Sequence, residues 1–192
     1  MKKGLALLLS LLMLLSVSVV YGAQEDGLAE AITRVKSMVT VPEELSEFSY
    51  GSDEVYGQKS WHLTWRNSDN TERLSATIRE DGTLTNFNIS RDSDNREDGL
   101  SKISKEEGLA AAQAFLQNVT GDTYGSLQLE SSSLAYAGFS YRFYQYVNDI
   151  RVSDNNLVVV VDKMTGEVTS YYGNYDDGQG YPAADGVVAL DA

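Results

Sequence analysis

Between Lys102 and Tyr175 the hydrophobic pattern switches once, from the period of a helix to the period of strands. That switch confines the chain to folds in which a helix lies on a sheet. The helix is announced by Ser104 and Glu107, a capping box in which the serine oxygen takes an orphan amide and the glutamate reaches back to the cap. Leu109, Ala112, Phe115, Leu116 and Val119 follow at helical spacing, and Thr120-Gly121 supplies the stop. Beyond it, Tyr141, Phe143 and Gln145 fall on one face of a strand, with Arg142, Tyr144 and Tyr146 on the other. Asn148-Asp149 and the stretch Asp162 to Gly166 carry turn chemistry, the second leading into Val168 to Tyr172. Leu157 to Val161 is continuously apolar, which predicts a central strand buried on both faces. One helix and a three- or four-stranded antiparallel meander result.

The same order occurs earlier. Leu28, Ile32, Val35 and Val39 are spaced as in a helix, and Val41-Pro42 ends it. Ser60 to Trp65 alternates large apolar with polar residues, and Leu74 to Ile78, Asp81-Gly82 and Thr83 to Ile89 read as a hairpin. The fold class expected is therefore α+β: two tandem small modules, each one helix packed on a three- to four-stranded antiparallel sheet. Their bounds are 24–90 and 101–175, and residues 147–156 predict a longer hairpin loop in the second. Residues 91–100, charged and without apolar anchors, read as a solvated acidic linker. A calcium loop there fails on spacing, because Arg96 falls where an oxygen ligand is needed. Residues 176–192 read as a flexible tail.

The second half, ending in V-V-V-V-D-K-M-T-G-E-V-T-S-Y, resembles the PepSY-like modules of bacterial envelope proteins. More closely it resembles the YcdB/YcdC-type repeat family of secreted Gram-positive proteins. The resemblance implies a non-enzymatic binding module that restrains or chaperones a peptidase. The chain carries no fused peptidase, so such a module would act in trans. In that family a proline and a short apolar pair lead into the next repeat. Pro182 and Val187-Val188 resemble such an entry, implying a shortened relative of longer multi-repeat proteins. The alternative reading is a structural spacer that binds nothing tightly.

Residues 1–22 read as a secretory signal peptide: Lys2 and Lys3, an apolar run from Leu5 to Val20, then Val20-Tyr21-Gly22 for cleavage. A retained N-terminal anchor is the competing reading. The absence of cysteine removes disulfides, thiolate metal sites and thiol nucleophiles. Loss of Lys2 and Lys3 would take the net charge from −13 to −15, which repels nucleic acid and anionic lipid. After cleavage no stable membrane insertion is expected.

Chemistry has few carriers. His62 is the one histidine, on a predicted strand and pointing away from Trp61 and Trp65. No hydrolase, zinc-protease or phosphate-binding motif occurs. Most carboxylates sit in turns and linkers. The expectation is no enzyme activity, no catalytic residue, no metal and no cofactor. What remains is the aromatic supply. Tyr136, Tyr141, Tyr144, Tyr146 and Tyr172 are the candidate partner-binding surface, with a secreted peptidase or another envelope protein as partner. The competing reading is that tyrosine simply suits a half-exposed sheet.

Overall fold

The computed structural model describes residues 27–92, 99–135 and 138–176. The signal segment 1–22, the linker residues 93–98, Tyr136 and the tail from 177 lie outside the described residues. The first half contains helix α1 (Leu28–Met38) and strands β1 (Glu47–Val55), β2 (Gln58–Arg66), β3 (Glu72–Arg79) and β4 (Leu84–Arg91). The second contains helix α2 (Lys105–Thr120), a 3-10 turn (Gly121–Ser126) and strands β5 (Leu127–Leu134), β6 (Gly138–Val147), β7 (Ile150–Asp162) and β8 (Val168–Gly173).

The expectation of two separate sheets is replaced by one. All eight strands form a single open antiparallel sheet in the order β1-β2-β3-β4-β8-β7-β6-β5. Each meander ends in a strand with one free edge. Pairing β4 with β8 satisfies both edges at once, through Asn86↔Tyr172, Phe87↔Tyr171 and Asn88↔Ser170. Both helices lie on one face. α1 turns Leu28, Ala31, Val35 and Met38 inward, onto Trp61, Leu63, Leu74 and Ile78. α2 buries Ala112, Leu116 and Val119 over Tyr141, Leu157, Val159 and Tyr171. Each fully buried aliphatic side chain here contributes about 1.5–3 kcal/mol.

The central seam is held from that face as well as by the ladder. Phe115 of α2 packs between Phe87 and Tyr171, with ring centroids 6.0 and 5.4 Å away. Arg91 bridges Glu72 (2.8 Å) in the first half and Glu167 (3.0 Å) in the second. Arg91, expected in the linker, therefore closes β4.

Other expectations also shift. Leu157, Val159 and Val161 are buried, whereas Val158 and Val160 are half-buried on the helix-free face, so β7 is covered on one side only. The hairpin after Val147 has no long loop. Asn148 and Asp149, with φ of 51° and 63°, form a two-residue turn that matches the strand twist. The extra residues, 152–155, stand opposite Gln145 alone, where the register shifts. That irregularity turns Asn155 inward. Its Nδ2 donates to Gln145 Oε1 (2.7 Å) and to the Asp176 carboxylate (2.9 Å). Gln145 also donates to the Asp176 carbonyl (2.9 Å) and accepts from its N–H (3.2 Å), so a buried amide side chain stands in for a strand and ties down Asp176.

The predicted capping box is present. The backbone N–H and hydroxyl of Ser104 both donate to Glu107 Oε2 (2.7 and 2.9 Å), and the Glu107 N–H donates to Ser104 Oγ (3.1 Å). Those donors hold the Glu107 carboxyl below its usual range. A carboxyl whose pKa is depressed by folding stabilises above the ordinary carboxylate range, and that contribution disappears as pH falls through the folded value. Stability measured from pH 7 to pH 3 should therefore drop more steeply with acid in the native chain than in Glu107→Gln. Parallel curves would disprove the contribution.

At Gly108 the helix meets the sheet. A Cβ there would lie 2.5 Å from Tyr141 Oη, which donates to the Lys105 carbonyl at 2.6 Å. Urea unfolding should show Gly108→Ala destabilised by about 1–3 kcal/mol despite its better helix propensity. The cost should shrink in a Tyr141→Phe background, where the clashing oxygen is gone. An equal cost in both backgrounds would refute this contact as the cause.

Candidate functional site

The predicted tyrosines do not form one surface. Tyr141 is wholly buried, because the face it shares with Phe143 is the one α2 covers. It is a core residue, and burial raises its phenol pKa. Tyr144 and Tyr172 do share the helix-free face, but Asn156 and Val158 of β7 lie between their strands. Tyr144 is half-buried with the Arg151 guanidinium 4.7 Å above its ring, and Tyr146, also half-buried, pairs in register with Arg151. Tyr172 is 56% exposed. Among the described residues no ring contact joins any two of these three.

Aromatic side chains gather instead at β1, which polar composition hides in the sequence. All nine residues of β1 are exposed, and they pair with β2 from Glu47↔Arg66 to Val55↔Gln58 without a register shift. β1 is the first strand of the sheet, with neither proline nor a register shift along its ladder with β2. Phe48 and Tyr50 point to the helix face, where α1 packs over β2 and β3 and stops short of β1. They remain 39% and 42% exposed while continuing the core outward: Phe48 stands 5.1 Å from Trp65, and Tyr50 6.4 Å from Trp61. Beside them runs an apolar groove of about 750 Å³, between the end of α1, residues 39–46 and β1; Ile32, Val39, Val41 and Leu45 line it. The opposite edge strand differs. β5 exposes Leu129 and Leu134, but its register breaks between Leu129 and Ser131, a bulge that spoils it as a template for pairing.

On the other face of the same region, His62 Nε2 lies 3.3 Å from Asp53 Oδ2, and His62 Nδ1 lies 3.2 Å from Thr77 Oγ1. The order carboxylate–imidazole–hydroxyl is that of a hydrolytic triad, yet two features argue against the chemistry. Both His62 and Asp53 are about half exposed, so water competes for every bond. The backbone around Thr77 is committed to ladders with β2 and β4, leaving no N–H pair to stabilise an oxyanion. The trio is a cross-strand polar contact. Among the described residues no group of three carboxylate or histidine side chains is placed to hold a metal ion.

The pattern of one helix and four strands, met twice and ending in the D-K-M-T-G turn, is matched over residues 28–175 by the family described as the YcdB, YcdC repeated domain. The chain belongs to that family. No curated protein matches it. Among solved structures this YcdB/YcdC chain is similar to the Bacillus megaterium YpeB C-terminal domain, a PepSY-like fold, with a TM-score of 0.58 at 13% identity. The likeness covers 79% of this chain and 63% of that one, so the chain spans under two thirds of the YpeB domain's length. At that identity the similarity is one of fold.

If β1 aromatics serve a surface rather than the core, they carry little stability. Tyr50→Ser should cost about 1 kcal/mol or less, against roughly 3 kcal/mol or more for Tyr141→Ala. Comparable losses in chemical denaturation would place Tyr50 among the residues that hold the fold.

Proposed function

We propose that this YcdB/YcdC family member is a non-enzymatic, secreted protein of the Gram-positive cell envelope. In this reading its two halves are tandem PepSY-like repeats, and it binds and restrains a secreted peptidase in trans. The observation that carries the reading is β1: a regular, wholly exposed edge strand flanked by Phe48, Tyr50 and an apolar groove. Such an edge binds by strand addition, in which main-chain hydrogen bonds give affinity and alternate side chains give selectivity. An extended segment of the peptidase, laid along β1, would be held out of productive geometry.

The repeat order supports the tandem reading, since each half is one helix followed by a four-stranded meander. A structural spacer, the alternative, would have no use for aromatic side chains left exposed on an outer strand. The deciding experiment is a pull-down from culture fluid and wall extract with residues 24–192, peptidase activity being assayed in parallel. The expected outcome is retention of one secreted peptidase near equal stoichiometry with its activity reduced. Tyr50→Lys, which places a charge on the groove side of the edge, should abolish both effects while the protein still melts cooperatively. No retained protein and unchanged activity would favour the spacer.

A further inference from the structure

We propose that the cavity on the helix-free face, beside the β1–β2 turn, binds a neutral sugar ring, stacked on Tyr56 and hydrogen-bonded by Asp53, Arg79 and Asn174. The site uses a face of the sheet and makes no demand on the outer edge of β1. Nothing in the fold calls for tyrosine at position 56. Tyr56 and Gly57 form the two-residue turn between β1 and β2, with φ of 53° and 76°. Such turns favour asparagine or aspartate before glycine, because a bulky side chain is strained at positive φ. Burial does not offset that strain, since the Tyr56 side chain is wholly exposed. It lines the cavity instead, offering an apolar plane with a polar tip. An aromatic ring kept in a strained turn beside a cavity points to a ligand that packs on it.

The cavity, of about 740 Å³, has the size of a small-molecule site, but its walls are of another kind. Small-molecule pockets are mostly apolar with a few polar groups. Here, among the described residues, Val55 is the one aliphatic side chain, and Ser60, Thr77 and Thr85 bring hydroxyl groups. Arg79 Nη2 donates to Asn174 Oδ1 (2.8 Å), so both halves of the chain build the site. Asp53, held by His62 at 3.3 Å, keeps its carboxylate side chain 54% exposed in the same space. A ligand that satisfies such walls is polar on nearly every side. A cation meets Arg79, an anion meets Asp53 and a net charge of −13, and an apolar side chain finds no slot. A neutral sugar meets none of these obstacles. Its hydroxyls donate to a carboxylate and accept from a guanidinium or an amide, while its apolar ring face packs on tyrosine.

The test titrates the full chain with cellotriose, maltotriose and chitotriose, with trigalacturonate as the anionic control. Binding is read by calorimetry and mapped by amide chemical shifts. At least one neutral trisaccharide should bind at least tenfold tighter than trigalacturonate and shift the amides of Tyr56, Gly57, Thr77 and Asn174. Tyr56→Asn suits the turn better, so it should lose at least tenfold in affinity while the melting temperature holds or rises. Tyr56→Phe keeps the ring and should stay within about twofold. Asp53→Ala should lose about tenfold. Pelleting with insoluble cellulose, starch or chitin, competed by the matching trisaccharide, would assign a polymer as the source of the ring. Trisaccharide binding without pelleting would assign a free oligosaccharide. Four results would overturn the proposal: undiminished affinity in Tyr56→Asn, shifts confined to another region, trigalacturonate binding as tightly, or no binding of any neutral trisaccharide.

Discussion

The pairing of β4 with β8 is the constraint on which the rest of the molecule depends. Only three residue pairs make up that ladder, fewer than in any other strand pair of the sheet. A contact so short would be weak by itself. It persists because the two halves also share a core: Phe115 of α2 packs on Phe87 from one half and on Tyr171 from the other. Asn118 of the same helix donates to the Met38 carbonyl at the end of α1 (3.0 Å), and Arg79 donates to Asn174 across the seam (2.8 Å). Each half alone would leave an unpaired strand next to an exposed half-core. Joined, they hide both.

The seam also fixes where the remaining edges fall. Because the last strand of each half is consumed at the centre, the first strands, β1 and β5, become the outer margins. The two margins are then treated differently. β5 is bent by its bulge and runs Ser131-Ser132-Ser133 along its outer part. β1 is straight in register and aromatic on its inner side. The asymmetry cannot come from the shared architecture, which is the same in both halves. It is written in the side chains and the register of the two strands.

Much of this was legible in the sequence, and what was not has physical causes. Ser104, Glu107 and the apolar spacing from Leu109 to Val119 specify α2 because capping and helical periodicity are local properties. The Asp81-Gly82, Asn148-Asp149 and Asp162–Gly166 turns are local for the same reason. The single sheet was not legible: nothing within Asn86–Asn88 or Ser170–Tyr172 says that these residues will face one another, since strand partnership across about 80 positions is a property of the whole chain. β1 was missed because Glu47, Ser49, Gly51 and Asp53 dominate its composition, although Phe48 and Tyr50 at alternate positions carried a faint period of two. The inward turn of Asn155 to Gln145 depends on a register break that no periodicity announces.

The tyrosines show why residue type is a weaker guide than residue position. Tyr141 and Tyr171 are fully buried, and burial pushes both phenols up. Tyr144 lies under a guanidinium. A count of tyrosines along the second half therefore does not separate core from surface. Helix coverage decides the matter. α2 spans β6, β7 and β8 and so encloses the aromatics beneath it, whereas α1 covers β2 and β3 and leaves Phe48 and Tyr50 beyond its reach. Leaving two aromatic rings partly in water forgoes hydrophobic stabilisation that a longer α1 would recover. The surrounding acids, Glu43, Glu44 and Glu47, oppose the indiscriminate association that such rings invite.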